Sequence, residues 1–160
     1  MAFRSGTDAR APDAACEALS LDIVATPQGV RAALARAAGM LSRADLCPTV
    51  QGCIELVLAE ALNNVVEHAY STSEGGRIAV RLDPRGETML LELRDNGRPM
   101  PDLTLPEGQL RPLVGSGDLP EGGFGWYLIR RLAVRVTYRR EAGTNVLQIE
   151  MPLGRQSKGI

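Results

Sequence analysis

The segment ALNNVVEHAY, residues 61–70, follows Glu60 and closes the strongest helical pattern in the chain. Ile54, Val57, Leu58, Ala61, Leu62, Val65 and Ala69 recur at spacings of three and four, which marks one apolar helix face. The spacing predicts a helix from near residue 48 to about residue 69. Its other side is unusual. Glu60 and Asn64 are four apart and share a face, Glu67 lies three beyond Asn64, and Asn63 and His68 complete the polar set. Adjacent asparagines weaken a helix, because their side chains compete for backbone groups. Exposure to water would account for both glutamates; a binding site would account for the asparagines as well. His68, the only histidine, sits near the helix end, where it reads as a cap of free carbonyls or a partner of the helix dipole.

On the N-terminal side, Leu19, Leu21 and Ile23 alternate within residues 17–25, which predicts a first strand. Thr26 as N-cap and Pro27 at the first helical position start a helix through about Arg43. Beyond the turn STSEGG, residues 71–76, alternation resumes over 77–83 and again over 88–94. Pro84-Arg85-Gly86 between them reads as a hairpin turn joining antiparallel neighbours. Residues 97–123 carry too many Pro and Gly for regular structure and read as a long binding loop or lid. A short helix over 124–132 precedes two alternating stretches, 133–139 and 144–151, joined by Glu141-Ala142-Gly143. This order fits an α/β (α+β) two-layer sandwich, with one mixed, mostly antiparallel sheet of about five strands covered on one face by three helices. Residues 1–15 and 154–160 read as flexible tails around a single domain, 16–153.

Composition narrows the function. The 160 residues carry 18 Lys and Arg against 19 Asp and Glu, a formal net charge of -1, so there is no positive footprint for nucleic acid. Three cysteines without a CxxC pair, and one histidine, make a poor zinc set and favour a reducing compartment. The N-terminus lacks a signal-peptide core, and no run approaches the ~20 apolar residues that span a bilayer. The expectation is a cytoplasmic protein without a membrane partner.

Two further motifs carry chemistry. Arg94-Asp95-Asn96-Gly97 ends a predicted strand. An aspartate there can accept a hydrogen bond from an exocyclic amine such as adenine's, and Gly97 permits close backbone approach; an Asn-Gly turn is the other reading. Glu121-Gly122-Gly123-Phe124-Gly125-Trp126 leads into the short helix, where free amides point toward phosphate oxygens; a flexible linker is the other reading. Neither a GxxxxGK[ST] loop nor a GxGxxG after the first strand is present, so a P-loop or dinucleotide fold is unsupported. In the first motif, Asn64 can offer a neutral oxygen to magnesium, which is often held mainly by substrate phosphates. Glu60, one turn back, can orient or deprotonate a hydroxyl attacking a terminal phosphate.

Glu60-Ala61-Leu62-Asn63-Asn64 with Glu67-His68-Ala69, then Asp95-Asn96-Gly97, then Glu121-Gly122-Gly123-Phe124-Gly125-Trp126-Tyr127-Leu128-Ile129 resemble three nucleotide-binding boxes. They are those of the gyrase, chaperone, histidine-kinase and mismatch-repair (GHKL) ATPase superfamily. EGGFG followed by YLI is most similar to the bacterial anti-sigma-factor serine/threonine kinases, and Gly143-Thr144-Asn145 resembles that family's late GT box. The resemblance covers roughly residues 17–153. It implies a Bergerat-type fold that uses ATP and magnesium (Mg2+). It implies that Asn64 contacts the metal, Glu60 is the candidate base, and Asp95 recognises the adenine amine with Gly97 near the base. Gly122, Gly123, Phe124 and Gly125 would line the phosphates, residues 98–121 would form the ATP lid, and a Thr144 hydroxyl would complete the adenine side. The implied function is an ATP-binding anti-sigma regulatory factor acting as a protein serine/threonine kinase. Its implied partners are a sigma factor and a STAS-type anti-anti-sigma protein, in a possible homodimer, with no direct nucleic acid. The alternative is a nucleotide-dependent module that sequesters a sigma factor without kinase activity. One departure is Arg98-Pro99 after Gly97: proline lacks an amide donor and restricts its neighbour, which stiffens the start of the lid.

Overall fold

The computed structural model describes residues 17–70, 75–109 and 124–154. Residues 1–15, Gly122, Gly123 and residues 110–121 of the expected lid lie outside the described residues. The elements are β1 (Leu19–Val24), α1 (Pro27–Leu41), α2 (Pro48–Asn64), β2 (Arg77–Arg85), β3 (Thr88–Asp95), α3 (Phe124–Leu132), β4 (Arg135–Glu141) and β5 (Thr144–Pro152). The sheet runs β1-β2-β3-β5-β4.

Every pairing is antiparallel, so the expected mixed sheet is not formed. Connectivity gives the reason. Two successive helices return the chain to the end of the sheet where β1 stops, and Val24 faces Arg77. The single helix α3 turns β4 into the direction of β3, but β5 inserts between them.

Strand register sorts the side chains into rows. Leu19, Leu82, Leu91, Ile149 and Val136 form one row across the sheet, and Leu21, Val80, Leu93, Leu147 and Tyr138 the next. The third row starts apolar with Ile23 and Ile78 and then becomes polar with Asp95, Asn145 and Arg140. The helices cover this face: Val30, Ala37 and Leu41 of α1, Val57, Leu58 and Leu62 of α2, and Trp126 and Ile129 of α3 join the strand residues in one buried cluster. The core therefore gives way to a polar corner beside β3 and β5. No described helix is long and apolar enough to cross a membrane.

Three local expectations shift. The helix expected to reach Ala69 is α-helical only to Asn64, and Val65–Ala69 form a π-helical turn. The first hairpin turns at Gly86-Glu87, and Pro84 lies inside β2. That position tolerates proline because Leu82 is the last β2 residue paired with β1, so the missing N–H leaves no β1 carbonyl unmatched. The first helix, α1, starts as expected, with Thr26 Oγ1 accepting the Gly29 N–H at 3.1 Å, but stops at Leu41. Gly29 is required there, since a β-carbon would lie 2.0 Å from the Val24 carbonyl oxygen. Gly29→Ala should therefore lower stability by about 3 kcal/mol. Urea unfolding measures it, and an unchanged midpoint would contradict the close contact.

Candidate functional site

The apolar stripe of α2 is buried against the sheet, and Glu60 and Asn64 flank it, each half-buried. Glu67 and His68 are exposed and stay outside the cluster. What covers Glu60 and Asn64 is the first turn of α3. A β-carbon at Gly125 would lie 2.5 Å from Glu60 Oε2 and 3.6 Å from Asn64 Nδ2. The third motif thus meets the first, and glycine is the residue that allows it. Phe124, one residue earlier, is 54% exposed.

Asn64 Nδ2 is buried without a hydrogen-bond partner, although buried polar groups are nearly always paired. No described group bonds its Oδ1 either. Neither end of this amide is thus satisfied by the described fold. Among the described residues no group of three or more His, Cys, Asp or Glu is arranged to hold a metal. A single neutral oxygen suits magnesium arriving with phosphates, which supply its remaining ligands together with water.

The π-helical turn joins the first motif to the second. It brings Ala69 against Gly97, where a β-carbon would lie 2.6 Å from Ala69 Cβ and 2.7 Å from its carbonyl oxygen. The Arg98 N–H donates to the same carbonyl at 3.0 Å. Beyond the turn, the Tyr70 hydroxyl accepts the Asn96 N–H at 3.0 Å and donates to the Arg77 carbonyl at 3.0 Å. Gly97→Ala should force this wall apart, with a stability loss of about 2 kcal/mol. Thermal unfolding indistinguishable from the parent would exclude the contact.

Asp95 is 6% exposed. Its Oδ1 accepts the Gly97 N–H at 2.8 Å and Asn145 Nδ2 at 2.9 Å. Its Oδ2 accepts nothing from a described residue and keeps contact with solvent. Burial pushes the Asp95 carboxyl above the ordinary carboxylate range, with Asn145, the Gly97 amide and Arg140 pulling the other way.

Sequence reasoning gave no role to the groups behind Asp95. Asn145 Oδ1 accepts from the Tyr138 hydroxyl at 2.8 Å and from Arg140 Nη1 at 2.6 Å. Arg140 Nη1 also donates to the Gly97 carbonyl at 2.9 Å. The Tyr138 hydroxyl accepts the Met100 N–H at 3.0 Å. Thr144, expected on the adenine side, points to the opposite face of the sheet from Asp95, and its hydroxyl donates to Asn96 Oδ1 at 2.9 Å. The hairpin register contained this distinction: a turn at Ala142-Gly143 puts Asn145, not Thr144, on the face of Leu147 and Ile149.

A hollow of about 260 Å³ lies on the outer face, lined in part by Ser20, Asp22, Arg81, Glu92 and Arg94. Of the three motifs it contains only Arg94, and neither Glu60, Asn64, Asp95 nor the glycines. Its arginines are already paired, Arg94 with Glu92 at 2.7 Å and Arg81 with Asp83 at 3.2 Å. The polar corner on the helix-covered face is the stronger site.

The profile of the histidine kinase-like ATPase domain matches residues 23–151. The serine-protein kinase RsbW of Halalkalibacterium halodurans is 34% identical over 93 residues, 56% of this chain and 56% of that protein. The match thus spans about half the length of that relative. RsbW of Listeria innocua is 26% identical over 132 residues, 81% of this chain and 83% of that protein. Among solved structures, the RsbU and RsbW domains of Rv1364c from Mycobacterium tuberculosis superpose with a TM-score of 0.57 at 19% identity, covering 89% of this chain and 34% of that one. The blue-light activated histidine kinase of Erythrobacter litoralis EL346 gives 0.51 at 22%, covering 80% and 43%. These two likenesses concern the fold.

Proposed function

The chain belongs to the histidine kinase-like ATPase family, and on that footing we propose that it binds ATP at the polar corner and transfers the terminal phosphoryl group to a serine or threonine hydroxyl of a partner protein. The observation that carries the reading is the unpartnered buried amide of Asn64 beside Glu60, with Gly125 pressed against both. Asp95 Oδ2 would accept the exocyclic amine of adenine, and the bare Gly97 backbone would leave room for the ring. Amides at the start of α3, with Gly122 and Gly123 ahead of Gly125, would face the phosphates. Thr144 would act on the base side through Asn96. Asn64 Oδ1 would hold magnesium. Held there, the metal would supply positive charge to offset that gathering on the phosphate oxygens. Glu60 would take the proton of the incoming hydroxyl as its oxygen bonds to phosphorus and ADP leaves in line.

The resemblance to anti-sigma-factor kinases supplies the partners of this proposal. A sigma factor would be held by the chain, and a STAS-type anti-anti-sigma protein would accept the phosphoryl group. Relatives named as serine-protein kinases support that direction. The test is transfer of labelled phosphate from Mg-ATP to STAS proteins of the same genome. Label on a serine or threonine supports the kinase. ATP binding with sigma-factor capture but no transfer supports the sequestering module instead. A folded chain without measurable Mg-ATP affinity overturns both.

A further inference from the structure

Oδ1 of Asp95 is engaged before any ligand arrives, and the side chain that helps engage it also grips the first residues of the lid. Asn145 is 4% exposed. Its amide nitrogen is shared between Asp95 Oδ1 at 2.9 Å, the Arg98 carbonyl at 3.1 Å and the Gly97 carbonyl at 3.3 Å. Its carbonyl oxygen is held from behind by Tyr138 and Arg140 of β4. A short side chain that donates at one end and accepts at the other is an amide. A carboxylate would repel Asp95, and a hydroxyl could not reach both sides.

We propose that Asn145 is a positioning residue that makes recognition of the base and the geometry of the lid's first residues a single mechanical unit. The inference rests on the nucleotide reading above and extends it to a side chain with no ligand contact of its own. With Oδ1 taken by Gly97 and Asn145, only Oδ2 of Asp95 is left, and a lone carboxylate oxygen selects a donor on the base over a carbonyl. The same nitrogen fixes the Gly97 and Arg98 carbonyls, and Tyr138 fixes the Met100 amide. Any ligand that moves Asp95 therefore moves the root of the lid, and the reverse holds equally. Arg140 from β4 and Tyr70 beyond the π-helical turn are the charged and titratable groups facing Asp95, and Ile78 beside it on β2 is apolar.

Two variants test it, each first shown to be folded by its melting curve. Asn145→Leu should weaken Mg-ATP binding about 10- to 100-fold, the scale of a hydrogen bond to a charged group. In the nucleotide-free protein it should also speed amide exchange at Gly97 and Met100 about 10-fold or more. Asn145→Asp should bind poorly at pH 8.5 and recover toward the parent's affinity at pH 6, because the introduced carboxyl then holds a proton it can donate to Asp95 Oδ1. Calorimetric titrations of Mg-ATP into parent and variants at both pH values read this out. A loss in Asn145→Asp by the same factor at both pH values means a structural role only and overturns the inference. Parental affinity or parental exchange in folded Asn145→Leu does so too, while leaving the nucleotide reading intact. Absence of Mg-ATP binding by the parent chain removes both.

Discussion

Asp95→Asn is expected to give a nucleotide-free protein more stable than the parent and almost unable to hold ATP. Burial raises the folded-state pKa of Asp95 above its unfolded value, so ionisation is disfavoured in the folded protein. Below the unfolded carboxylate pKa both states hold the proton, and this group costs nothing. Stability is lost as pH rises through that value to the raised folded one, and above it the whole cost is present. Asparagine removes the charge yet keeps an oxygen for the Gly97 amide and Asn145 Nδ2. Its NH2 group would then face the adenine amine, donor against donor, and affinity should fall about 100-fold or more. Melting curves with and without Mg-ATP check both halves: the parent melts lower and rises with nucleotide, whereas the variant starts higher and does not move. Acidifying the nucleotide-free parent should recover part of the difference. A variant that melts below the parent would mean that the buried charge is already compensated.

Glu60→Gln should separate chemistry from binding. Glutamine keeps the length and shape that fit beside Gly125 but cannot accept a proton. Phosphoryl transfer should drop about 100- to 1,000-fold, the range of general base catalysis, with the dissociation constant for Mg-ATP within about twofold of the parent. Single-turnover transfer and calorimetric titration give the two numbers. Equal losses in both would assign Glu60 to binding and leave the proton without an acceptor among the residues placed here.

The strands and α3 were legible because alternation and helical spacing report burial directly. Ile78, Val80 and Leu82 alternate and are buried, and residues 124–132 form the expected helix. The strand order was not legible. Insertion of β5 between β3 and β4 is a matter of long-range pairing, and β4 and β5 read only as a hairpin. Glu60 and Asn64 sharing a face could be read from their spacing, but the cover supplied by Gly125 comes from another segment. Asp95 was legible as a strand end. Asn145 was not, because its side depends on where the last hairpin turns, and a slip of one residue would have exchanged it with Thr144. The π-helical turn was invisible as well: Val65 and Ala69 keep helical spacing whether or not an extra residue is accommodated.

That turn sets a phase. Upstream of it, the helix aims Glu60 and Asn64 at α3; downstream, Ala69 and Tyr70 are aimed at the strand ends around Gly97 and Asn96. An uninterrupted α-helix advances about 100° per residue, so one orientation could not be adjusted without disturbing the other. The wider turn acts as a coupling between two shafts set at different angles. Losing one residue within Val65–Ala69 would realign the shafts, swinging the base-side wall away while the carboxylate and amide of the first motif stay where they are.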